Sequence, residues 1–195
     1  MKRFWAVSLG VAGIFLATVT SAAAAPSCGG DFGQWLTAMK KDAAGAGISQ
    51  KTIAAALDGI TPDAAILALD RKQGYFKQSF ETYRAKRVPP VMVQAGRARV
   101  KQLSGLLGRI EQRFGVPGPV LVAIWGLETG FGAGSGNTPA IRSLATLAHD
   151  CRRADFFRGE LIAALQVADR GDLAPAAMRG GWAGELGQTQ FMPSS

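Results

Sequence analysis

Phe32, Trp35, Leu36 and Met39 recur at the three- and four-residue spacing of one helix face, and Asp31 stands where an N-cap belongs. The spacing predicts a helix over 32–44. Ser49 caps a second, short helix ending at Leu57, and Thr61-Pro62-Asp63 starts a third with proline at its first position, where a missing N–H costs nothing. From 70 to 88 the texture changes. Tyr75, Phe76, Phe80 and Tyr83 are mixed with Arg71, Lys72, Lys77, Arg84, Lys86 and Arg87 until Pro89-Pro90 ends the run. This reads as a covering segment, its rings against the domain and its charges towards water, with a ligand-contacting strip as the other reading. Val100, Leu103, Leu107, Ile110 and Phe114 then step along one face of a single long helix over 91–114, which Gly115-Val116-Pro117 stops. Pro119 opens the next helix, 120–129. Val120, Leu121, Val122, Ala123, Ile124, Trp125 and Leu127 make it apolar nearly all the way round, the pattern of a helix buried on most sides.

Glu128 ends that apolar helix. Burial and the negative end of the helix dipole would both favour the protonated carboxyl, which is the state a general acid needs near neutral pH. The run Thr129-Gly130-Phe131-Gly132-Ala133-Gly134-Ser135-Gly136-Asn137 follows, and its glycines let backbone and ligand approach closely. It lacks the lysine and the spacing of a phosphate-binding loop. A helix-ending glutamate paired with an arginine is the bland alternative for Glu128.

The N-terminus is of another kind. Lys2 and Arg3 precede an apolar run over 4–19, and small residues follow over 21–25, the layout of a secretory leader. The run is shorter than a bilayer span needs. Ala22-Ala23-Ala24 places the expected cut after Ala24, giving a signal peptide over 1–24 and one domain over 25–195, exported to the periplasm without a stable membrane span. The chain has 195 residues, of which 48% are hydrophobic, and a net charge of +8, so disorder and a multidomain architecture are excluded. Basic residues outnumber acidic ones even without Lys2 and Arg3. They are scattered and accompany no groove-reading or base-stacking motif, so no nucleic-acid partner is expected. Export would bring the charge to anionic envelope polymers and lipid head groups, and for most of these scattered residues a plain solubility role is the favoured reading.

Two cysteines, Cys28 and Cys151, in an oxidising compartment point to one disulfide, with two reduced buried thiols as the other reading. His149, the single histidine, is expected to be structural. No metal-ligand spacing and no cofactor motif is present.

The stretch Ala123-Ile124-Trp125-Gly126-Leu127-Glu128-Thr129-Gly130-Phe131-Gly132 resembles the catalytic-acid motif of lytic murein transglycosylases of the membrane-bound B type. Gly184-Glu185-Leu186-Gly187-Gln188-Thr189-Gln190-Phe191-Met192-Pro193-Ser194-Ser195 matches a later motif of that family. Asp70-Arg71-Lys72-Gln73, Leu144-Ala145-Thr146-Leu147 and Cys151-Arg152-Arg153-Ala154-Asp155-Phe156-Phe157 also match, in the same order and spacing. The resemblance implies a mainly α, lysozyme-like domain that cleaves peptidoglycan glycan strands between N-acetylmuramic acid and N-acetylglucosamine. It implies that Glu128 protonates the glycosidic oxygen and then, as base, takes the proton of the muramic C6 hydroxyl, closing a 1,6-anhydro ring. One carboxylate suffices because the substrate's acetamido group can stabilise the cationic centre, an exception to the two-carboxylate rule. Asp150, Asp155 and Glu160 then read as solvated charges or local ion pairs. Arg152 and Arg153 match a substrate-contacting pair, and guanidinium groups suit muramyl-peptide carboxylates. Pairing with Asp150, Asp155 or Glu128 is their alternative. Gln190 and Phe191 match positions lining the sugar cleft.

Two departures stand out. Gly181 occupies a position where many relatives carry serine, and Glu185 replaces a small apolar residue. The family motif also runs on beyond Pro-Ser-Ser, so the domain reads as incomplete at its C-terminal end. A non-catalytic or poorly folded envelope protein that at most binds peptidoglycan is therefore the alternative function.

Overall fold

The computed structural model describes residues 27–72 and 78–195. The expected leader, and Tyr75 and Phe76 of the aromatic basic segment, lie outside the described residues. The chain is mainly helical. Asp31 caps α1 (Phe32–Gly45), its carboxylate accepting the Gln34 N–H at 2.9 Å, and Ser49 caps α2 (Gln50–Leu57). The third helix, α3 (Ala64–Arg71), begins later than the sequence suggests. Asp63 is its cap, accepting the Ala65 N–H at 2.9 Å, and Pro62 stays outside, because a carboxylate satisfies an orphan helical donor where proline only avoids creating one.

Ser79 caps α4 (Phe80–Arg87), which has no buried residue and runs along the surface. The expected single long helix is two, α5 (Pro90–Gln102) and α6 (Ser104–Phe114), because Leu103 leaves helical geometry at φ −101° and ψ 13°. The break lets both halves pack against α7 (Gly118–Thr129). Leu107 of α6 seats on Gly118 so closely that a Cβ there would lie 2.8 Å from the leucine Cβ, while Gly96 of α5 faces Phe131 and Val122.

The expectation that α7 is buried on most sides is also corrected. Gly118, Val122, Gly126 and Thr129 form one narrow buried stripe, and Val120 is 47% exposed. An all-apolar sequence tells what a helix tolerates; which of its sides are covered depends on the elements that pack there.

The core lies elsewhere. Eight of the ten residues of α8 (Ala140–His149) are buried, and it packs along α9 (Ala154–Asp169) as the central pair. Leu144 and Leu147 of α8 and Phe157, Leu161 and Leu165 of α9 share one buried cluster with Trp35 and Met39 of α1. Strand β1 (Thr138–Pro139) pairs antiparallel with β2 (Arg179–Gly180), and isolated bridges continue the ladder from Gly180 to Leu186 and from Leu186 to Phe191.

Cys28 and Cys151 are disulfide-bonded, with Cα atoms 5.1 Å apart. The N-terminal strap 27–31 follows the linkage. The Gly29 N–H donates to the His149 carbonyl at 2.7 Å, and the His149 ring stands edge-on against Phe32 and Trp35. That is the structural role expected of this histidine.

At the end of α9, Asp169 accepts the Ser49 hydroxyl at 2.5 Å and the Ser49 N–H at 3.2 Å, tying the cap of α2 to α9. Hydrogen bonds from the Ser49 and Thr52 side chains hold its carboxyl below the usual value of 3.8. A folded-state pKa below the unfolded one stabilises the fold above the unfolded value, and that gain is lost as pH falls through the folded one. Asp169→Asn should therefore lower Tm near neutral pH, with the difference from wild type closing below about pH 3.8 in a pH series of thermal melts.

Candidate active site

Glu128 occupies the penultimate position of α7, whose end is made by Gly130 in left-handed geometry (φ 59°). Contrary to the burial read from the sequence, Glu128 is exposed. The neighbouring carbonyl is not free. Arg87 of α4 donates to the Leu127 carbonyl at 2.9 Å, bringing a cation to the negative end of α7 beside Glu128.

Thr129 and Gln188 fasten this helix end to the segment 186–191. The Thr129 hydroxyl donates to the Gln188 carbonyl at 2.6 Å and accepts the Gly132 N–H at 3.0 Å. The Gln188 side-chain oxygen accepts the Trp125 indole N–H at 2.7 Å. Gly132 is obligatory, since its φ is 86° and a Cβ would fall 2.8 Å from the Gln188 amide carbon. Thr129 and Gln188 lie inside the motifs quoted above, yet their tie spans 59 residues and gives no local signal.

On this segment Gln190 and Phe191 differ in what they leave available. Gln190 has φ 49°, and its amide nitrogen donates to the Ser135 carbonyl at 3.0 Å and the Gly187 carbonyl at 2.7 Å. Its donors therefore stitch the glycine-rich loop to the turn. Phe191 is 54% exposed and presents a free ring.

The two sequence departures prove to be one packing solution. Glu185 accepts the Ala183 N–H at 3.0 Å, and its carboxylate fills the space beside Gly181, where a Cβ would lie 2.8 Å from the Gln190 oxygen and 3.1 Å from the Glu185 carboxyl carbon. A serine at 181 would displace both. Close packing also governs Gly184, whose φ is 96° and whose Cβ would meet Leu144 of the core at 2.5 Å. Overpacking and backbone strain together give Gly184→Ala an expected loss of about 3 kcal/mol in urea unfolding.

Arg152 and Arg153 sit on the turn between α8 and α9. Their partner is Asp70 at the end of α3, in place of Asp150, Asp155 or Glu128. Arg152 donates to the Asp70 carbonyl at 2.5 Å and pairs with its carboxylate at 3.1 Å, and Arg153 pairs with the other carboxylate oxygen. Asp70 is 3% exposed, a buried charge compensated by two guanidinium groups. Both arginines remain partly open to solvent, and Arg153 lies over the Phe157 ring at 4.7 Å. With Ser27, Phe156 and the disulfide they line a polar cavity of about 310 Å³. No hydrogen bond or ion pair among the described residues joins them to Glu128. Asp150 pairs instead with Arg71 at 2.7 Å. Glu160, read from sequence as a solvated charge, is buried on α9.

An apolar cleft of about 390 Å³ runs between α5 and α7, lined by Met92, Val93, Val122, Leu127 and Phe131, with Arg97 at its edge. Among the described residues Arg97 is its one charged group, so they offer sugar hydroxyls few partners. Among the described residues no group of three or more His, Cys, Asp or Glu side chains is placed to hold a metal ion. No helix there is long and apolar enough to cross a membrane.

Comparison with known proteins identifies the family and the fold. Residues 31–195 match the family model described as the transglycosylase SLT domain. Over 114 residues the chain is 40% identical to membrane-bound lytic murein transglycosylase B of Escherichia coli, covering 58% of this chain and 32% of that protein. SltB3 of Pseudomonas aeruginosa, solved in complex with NAG-NAM-pentapeptide, superposes with a TM-score of 0.78 at 40% identity, over 85% of this chain and 44% of SltB3. Slt35 of Escherichia coli, in complex with bulgecin A, gives 0.71 at 32% identity, over 86% of this chain and 55% of Slt35. The chain thus spans about a third to a half of these relatives' length.

Proposed function

The chain belongs to the transglycosylase SLT domain family, and on that premise we propose that it is an exported peptidoglycan lytic transglycosylase with Glu128 as its acid and base. The observation that carries this is the placement of Glu128. It projects from the end of α7 into solvent while Thr129 and Trp125, its neighbours, clamp the segment that presents Phe191. A solvent-reachable carboxyl on a helix end tied to the segment that carries an exposed ring suits a glycan strand, whose apolar sugar face can stack on the aromatic while a glycosidic oxygen meets the acid.

In the proposed reaction the Glu128 carboxyl gives its proton to the oxygen leaving muramic C1, and the C1–O bond breaks. The substrate's acetamido oxygen stabilises the positive charge at C1. The carboxylate then accepts the C6 hydroxyl proton as that oxygen bonds to C1, so Glu128 returns to its starting state and no water is consumed. Gly181 offers no side-chain hydrogen bond to the acetamido group. Arg152 and Arg153 keep N–H groups that Asp70 does not use, and these suit the carboxylates of the muramyl peptide. The SltB3 complex with NAG-NAM-pentapeptide supports a glycan with its peptide as the ligand class. The leader over 1–24 would deliver the protein to the periplasm, where that polymer lies. Release of soluble fragments from purified peptidoglycan sacculi tests the reading, and intact sacculi after incubation would oppose it.

A further inference from the structure

Glu160 lies on the inner stripe of α9, in register with Phe157, Leu161 and Ala164, and is 6% exposed. A carboxylate in such a place is costly unless its oxygens are hydrogen-bonded. Both are satisfied by one residue: the Ser194 N–H donates to one oxygen at 3.0 Å and the Ser194 hydroxyl to the other at 2.7 Å. Among the described residues no cation pairs with it. Its burial therefore depends on segment 192–195 being in place, and that segment is held by it in turn.

The same segment is pinned at two further points. Gln188 is fixed on the end of α7, and the Leu186 N–H donates to the Phe191 carbonyl at 2.8 Å. Between these anchors and Ser194 stands Phe191, whose exposed ring has little packing of its own to orient it. We infer that Glu160 is a positioning residue of the glycan site: through Ser194 it ties the Phe191 segment to the core helix α9 and sets the stance of the sugar-stacking ring. This rests on the functional reading above. It predicts that loosening the tie weakens glycan binding more than it slows the chemistry, since Glu128 is held from the other side by α7.

The test compares wild type with Ser194→Ala, Glu160→Gln and Phe191→Ala. Ser194 is exposed, so its variant should fold, and Glu160→Gln keeps the size of the side chain. Hydrogen exchange across 186–195 reads the tie, and titration with a GlcNAc–MurNAc oligosaccharide reads the site. Both tie variants should speed exchange in that segment and raise Kd about five- to tenfold, with kcat on peptidoglycan changed less than about twofold. Combined with Phe191→Ala, Glu160→Gln should add almost nothing to the loss, because both act through one ring. Faster exchange with unchanged Kd, or a fully additive double variant, would overturn the positioning role alone. Absence of oligosaccharide binding by wild type would overturn the functional reading and this proposal with it.

Discussion

Glu128→Gln should reduce the release of soluble fragments from purified peptidoglycan by roughly 10²- to 10⁴-fold, the usual contribution of a positioned general acid–base group. Glutamine matches glutamate in size, and the exposed position means that little packing changes with it. The clamp of Trp125, Thr129 and Gln188 involves no atom of the Glu128 side chain, so the segment bearing Phe191 should stay in place. The variant is thus expected to keep its Tm and its affinity for glycan while losing turnover. That separation of kcat from Kd distinguishes a chemical role from a structural one. A variant with near-normal turnover would remove Glu128 from the reaction.

The second large effect concerns stability. The Cys28–Cys151 linkage closes a loop with a sequence separation of 123, so opening it releases much of the chain in the unfolded state. A loss of roughly 2–4 kcal/mol is expected on reduction or in the Cys28→Ser/Cys151→Ser double variant. Against a typical net stability of about 5–15 kcal/mol this is a large share. Urea unfolding with and without reductant should show a lower midpoint in the reduced protein, and the steeper denaturant dependence of a less compact unfolded chain. Coincident curves would contradict it. The strap 27–31 lies against the turn that carries Arg152 and Arg153, so reduction should also loosen the surroundings of that pair.

Which features were legible in the sequence follows from how local their causes are. The starts of α1 and α2 are written in Asp31 and Ser49, because a cap acts on N–H groups two or three residues away. The break at Leu103 has no such mark. It arises where α5 and α6 must both meet α7, and Gly118 can only be seen as the seat of Leu107 once the helices are packed. The apolar run of α7 suggested a buried acid, yet periodicity cannot say how many sides of a helix find partners. Asp70 and Glu160 illustrate the same limit for charges. Asp70 meets arginines 82 and 83 residues on, and Glu160 meets a serine 34 residues on. Nothing nearby in sequence marks either as buried. The motifs around Glu128 and Phe191 were legible because each is continuous in the chain, although the Gln188 tie between them was not. Gly181 and Glu185 read as separate departures, and only their packing shows that one makes room for the other.

In the proposed reaction Glu128 gives a proton to the glycosidic oxygen and recovers one from the C6 hydroxyl as the muramic ring closes without water. Mass analysis of fragments released from purified peptidoglycan tests it most directly, with Glu128→Gln as the control. Muropeptides ending in 1,6-anhydro-muramic acid are expected, each lighter by one water than its hydrolytic counterpart, and almost none from the variant. Fragments with reducing, hydrolytic muramic ends and no anhydro product would contradict it.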